Sequence, residues 1–112
     1  MKEITLNNKE YKLIPIDKSD DIMFDNIEGR IMSFHKGYKK IGRISDILKD
    51  EDICHNLAYN ELKSVGYVYL DWQQPDNEKR PYKFDKSTDS FLSYLKSIDL
   101  DITKQYLLIQ KV

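Results

Sequence analysis

In the stretch Asp50-Glu-Asp-Ile-Cys-His-Asn-Leu-Ala-Tyr-Asn-Glu-Leu-Lys-Ser-Val-Gly66 the periodicity of the chain changes. Ile53, Leu57, Ala58, Leu62 and Val65 recur at helical spacing and form one apolar stripe, with Asp50 as N-cap and Gly66 as a C-terminal stop. The spacing predicts a helix over residues 51–65 that buries Ile53, Leu57, Ala58 and Leu62 and leaves Asn56, Asn60 and Lys63 in water.

Upstream of this helix the pattern is that of strands. Residues 3–6 and 10–16 are β-rich and flank Asn7-Asn8-Lys9, where asparagine tolerates the positive φ of a tight turn, so a β-hairpin is expected. A polar, acidic stretch runs from Asp17 to Asp25. Ile31, Met32 and Phe34 then precede Lys36-Gly37, and Tyr38, Ile41 and Ile44 resume an apolar pattern, which predicts a second hairpin with its tip near Gly37.

Downstream, Gly66-Tyr-Val-Tyr-Leu-Asp-Trp72 is a β-branched and aromatic run closed by Gln73, Gln74 and Pro75, and it is expected to be a strand. Residues 73–85 hold two prolines and mixed charges and are expected to form a long surface loop. Ser87 or Asp89 caps a second helix whose Phe91, Leu92, Leu95 and Ile98 face a core, and Tyr106-Leu-Leu-Ile109 is an apolar run short enough for a buried strand. The expected order is ββββαβαβ: one α+β domain over residues 1–112, with a mixed, mostly antiparallel sheet and two helices packed on one face.

Composition limits the classes of function. A chain of 112 residues suits a single core, and 40% hydrophobic with 33% charged residues, including eight tyrosines and four phenylalanines, places it among folded domains. Cys54 is the only cysteine, which excludes an internal disulfide and a cysteine-stapled secreted scaffold and makes the cytoplasm the expected compartment. Neither a signal-peptide apolar region nor a membrane-length apolar run is present, so no membrane partner is expected. The net charge of −1 provides no global field for nucleic acid. A composition rich in Lys, Asn and Ile is what AT-rich codons encode, and it points to a low-GC microbe or its phage.

Few residues suit catalysis or metal ligation. His35, Cys54 and His55 are the only imidazole or thiol groups, and the adjacent Cys54 and His55 diverge by roughly 100° around a helix axis, so no metal site is expected. Cys54 with His35 could form a nucleophile pair only by meeting in space. The glycines at 29, 37, 42 and 66 are isolated, so the phosphate cradles of nucleotide enzymes are absent and no cofactor is expected. Pro75-Asp76 and Glu61-Leu62-Lys63 carry the letters of a magnesium nuclease in reversed order, with the acid-x-lysine pair on a helix where its side chains diverge. The acidic loop 17–28, with Asp17, Asp20, Asp21, Asp25 and Glu28, offers oxygen ligands to a hard cation but lacks EF-hand spacing, and a solvated loop accounts for it.

Two constellations suit binding. Lys36, Tyr38, Lys39, Lys40 and Arg43 form a basic tip that could meet phosphates and stack a base, or simply keep a hairpin end soluble. Trp72, Tyr82 and Phe84, with Arg80, bracket the long loop and suit a protein partner. The leading expectation is a non-enzymatic protein-binding or regulatory accessory protein, such as a phage or mobile-element factor that inhibits a host protein. A nucleic-acid-binding module using the tip 36–43 comes second. A small enzyme or metal-binding protein using His35, Cys54 or the acidic loop comes third.

Overall fold

The computed structural model describes residues 2–16, 27–65 and 87–112. Its elements are β1 (Lys2–Leu6), β2 (Lys9–Ile16), α1 (Ile27–Phe34), β3 (Tyr38–Arg43), α2 (Ile44–Ile47), α3 (Glu51–Ser64), α4 (Ser87–Ser97) and β4 (Gln105–Lys111). The expected strand 66–72, the loop carrying Trp72, Arg80, Tyr82 and Phe84, and residues 17–26 of the acidic loop lie outside the described residues.

The first hairpin forms as its sequence dictates. Asn7 and Asn8 take φ of 49° and 65°, the left-handed pair that a two-residue turn between twisted strands requires, and Leu6 pairs with Lys9 across it. The second expected hairpin is corrected. Residues 27–34 form a helix, and the only strand there is the one that follows Gly37, whose φ of 87° turns the chain into β3. Ile27 and Ile31 stand four residues apart and meet the same cluster, so a helical contact overrides the short alternation that suggested a strand.

The described sheet has the order β1-β2-β4-β3, and every pairing in it is antiparallel. The resulting element order differs from the expected ββββαβαβ, while the α+β class with two helices on one face stands. The central strand β4 explains why Tyr106-Leu-Leu-Ile109 is continuously apolar, because its two sides enter two different clusters. Tyr106 and Leu108 join Leu6, Tyr11 and Leu13 against Cys54, Ala58 and Leu62 of α3 and Phe91 and Leu95 of α4. Leu107 and Ile109 point the other way and pack with Ile16 and Ile27, where α1 covers part of the second face.

The long helix starts where the sequence placed it, with the Asp50 carboxylate accepting from Ile53 N at 3.0 Å. Its buried face follows expectation at Ala58 and Leu62 and departs from it at the helix start, where Cys54 rather than Ile53 enters the core. Cys54, Ala58 and Leu62 are buried and Leu57 is partly so, whereas Ile53 is 43% exposed. The i, i+4, i+8 row meets the sheet, and Ile53 lies a residue off that row at the helix start. Replacing Ile53 with alanine should therefore change stability by no more than about 0.5 kcal/mol, as read from a urea midpoint.

The helix also breaks at Ala58 (φ −140°, ψ 34°) without proline or glycine nearby. At the break the helix meets Asn7 of the hairpin turn. Its Nδ2 donates to Asn56 O (3.1 Å), its Oδ1 accepts from Asn60 N (2.9 Å), and its own N–H donates to Glu61 Oε1 (2.9 Å). An inserted side chain is one of the few established causes of a sharp helix kink. At the other end of the helical layer, α4 closes with Asp99 at φ 62°, Leu100 N bonded to Leu95 O and Asp99 N to Lys96 O, a Schellman stop that seats Leu100 in the core.

Candidate interaction surface

The basic tip is divided by the register of β3. Tyr38 pairs with Lys111, Lys40 with Ile109 and Arg43 with Leu107, which puts these three side chains on the α1 side of the sheet, while Lys39 pairs with Gln110 and takes the opposite side. Glu28, in the first turn of α1, accepts from Lys40 Nζ at 2.8 Å and from Arg43 Nε at 2.9 Å. The hydrogen bonds from Lys40 and then Arg43 hold the Glu28 carboxyl below its ordinary range. Lys12 Nζ lies 4.7 Å from the centre of the Tyr38 ring, so that ring already faces a cation. Lys36 is exposed in the turn between α1 and β3. The five residues grouped by sequence therefore do not present one cationic face.

This arrangement predicts marginal DNA or RNA affinity at physiological salt. Glu28→Gln should strengthen whatever binding exists and steepen its log-log salt slope, because it removes the negative charge that Lys40 and Arg43 both face. Fluorescence anisotropy across a salt series reads both quantities. Submicromolar, salt-sensitive binding by the unsubstituted chain, abolished by Lys39→Glu with Lys40→Glu, would instead favour nucleic acid.

The residues singled out for catalysis are not brought together. Cys54 is fully buried, its Sγ donates to Ile47 O at 3.1 Å, and burial followed by the charges of Glu51 and Asp50 pushes its thiol up to about 12. His35 stands in the turn before β3 with its ring edge-on to Tyr38, which packs against the cluster under α1, whereas Cys54 lies in the one under α3 and α4. His55 lies on α3 with its ring 4.9 Å from that of Tyr59. Glu61 is bonded to Asn7 N, and Lys63 reaches over Tyr59 at 4.8 Å, so the acid-x-lysine pair diverges as its helical spacing requires. Among the described residues no group of three His, Cys, Asp or Glu is placed to hold a metal ion, and no helix is long and apolar enough to cross a membrane.

One exposed feature was not legible in the sequence. Phe34, at the end of α1, is 80% exposed, whereas Phe91 is fully buried. It adjoins the turn in which His35 N bonds Met32 O and Tyr38 N bonds His35 O, and Val112 N donates to Gly37 O at 2.8 Å. The corner therefore gathers an exposed phenylalanine, the exposed Lys36 and the exposed Val112. Read as a strand residue, Phe34 carried no special signal. Placing Ile27, Ile31 and Phe34 on one helical stripe would have shown an apolar row running past the cluster that buries its first member.

The chain matches no protein-family profile, no curated protein and no solved structure.

Proposed function

We propose that this protein is a non-enzymatic binding module, an accessory or regulatory factor of a microbe or phage that acts by occluding a partner protein. The observation that carries the reading is Phe34, an aromatic left in water at the corner of α1 and β3 with the exposed Lys36 beside it. An exposed aromatic with an exposed lysine two residues along the chain suits a partner that offers an apolar pocket and nearby acids. The role given to Cys54 by its burial, and the pairing of Lys40 and Arg43 with Glu28, support the same reading over catalysis or phosphate binding.

Capture from cells of the source organism tests it, with the unsubstituted chain and Phe34→Ala as paired baits. Phe34→Ala removes an exposed side chain, so its thermal midpoint should stay unchanged while a specific protein is lost from the bait at least tenfold. Equal recovery on both baits would refute this placement of the surface, and recovery of nucleic acid alone would refute the reading itself.

A further inference from the structure

The kink in α3 has a property that an ordinary packing contact lacks. Asn56 O and Asn60 N, the two groups that the Asn7 carboxamide occupies, are the acceptor and donor that an unbroken helix joins to each other. Both therefore have a complete alternative arrangement within α3 itself. Ala58, at the break, is the best helix former of all residues, and the described sequence around it contains no proline or glycine. No proline or glycine within α3 accounts for the break, and the hairpin turn that meets it lies about fifty residues away in sequence.

We infer that α3 is a two-state element with a second, straight form, reached when the Asn7 side chain withdraws. In that form Asn60 N donates to Asn56 O, Ala58 takes helical dihedrals, and the Asn7 carboxamide and Glu61 carboxylate exchange protein partners for water. Asn56 O and Asn60 N thus have a partner in both forms, and the Asn7 N–H, like its carboxamide, passes to water in the straight one. The link is reciprocal: anything that pulls the β1–β2 turn off α3 straightens the helix, and anything that straightens the helix expels the turn.

The test uses Asn7→Gly, which keeps the left-handed φ of the turn (49° at this position) and removes only the carboxamide. Carbon chemical shifts at Ala58 report its dihedrals, and amide exchange at Asn60 reports whether its N–H is bonded. The inference expects Ala58 to move to helical shifts while the Asn60 amide stays protected by its new bond to Asn56 O. Ala58 staying non-helical, with the Asn60 amide exchanging at least tenfold faster, would overturn it, since the kink would then exist without its plug. Should the glycine variant fail to fold, relaxation dispersion on the unsubstituted protein decides. A minor form with helical Ala58 shifts supports the inference, and flat profiles at Ala58 and Asn60 overturn it.

Discussion

Leu108→Ala and Ile109→Ala should each lower stability by roughly 2–5 kcal/mol, although the two side chains point to opposite sides of β4. Both are fully buried, Leu108 in the cluster under α3 and α4 and Ile109 in the cluster under α1. Truncation removes apolar surface and leaves a cavity that neighbours in register, Leu13 and Gly42 beside Leu108 and Lys12 and Lys40 beside Ile109, fill incompletely. Denaturant unfolding measures the loss from the shift in midpoint at constant slope. A small effect at Ile109 alone would mean that α1 does not form a second packed layer, whereas a small effect at both would remove β4 from the centre of the sheet.

Glu51→Ala should cost about 1–2 kcal/mol, an unusual amount for an exposed glutamate, because its carboxylate caps a different helix. Oε2 accepts from Ser87 N (2.6 Å) and Thr88 N (3.3 Å), Oε1 accepts from Thr88 Oγ1 (2.7 Å), and Ser87 Oγ lies 2.5 Å from the Glu51 carbonyl. These contacts tie the start of α3 to the start of α4, whose first N–H groups would otherwise lack acceptors within the helix. Burial on its own would raise the Glu51 carboxyl, but the hydrogen bonds from Ser87 and Thr88 outweigh it and hold the group below its ordinary range. A lowered pKa in the folded state means that the contribution is complete above the ordinary glutamate value and is lost as pH falls through the lowered one. Glu28 adds to the loss with the same sign. Thermal midpoints from about pH 6 to about pH 3 should therefore fall less steeply in Glu51→Ala than in the unsubstituted chain. An identical pH dependence in the two proteins would contradict the capping role.

Much of the frame was legible in the sequence because it rests on local rules. The Asn7-Asn8 turn, the Asp50 cap and the unbroken apolar run of residues 106–109 each announce their structure within a few residues. What escaped depends on distant partners. Nothing near Ile31 or Phe34 says that a helix is stabilised there by Leu107 and Ile109, more than seventy residues onward. Nor does the stripe of α3 reveal that a turn residue meets it where it breaks at Ala58, or that Ile53 falls outside the face that meets the sheet. The candidate site follows the same division. Lys36, Tyr38, Lys39, Lys40 and Arg43 are contiguous in sequence, but strand alternation and Glu28 separate them, and the exposed Phe34 gained its meaning only once α1 was known to be a helix.

The proposed partner-binding surface is the corner of α1 and β3. Amide hydrogen exchange of the chain, alone and bound to the protein that the unsubstituted bait retains, tests it most directly. The account predicts that exchange slows across residues 34–38 on binding, and that the effect disappears in Phe34→Ala. Slowed exchange confined to other segments, with residues 34–38 unchanged, would contradict it.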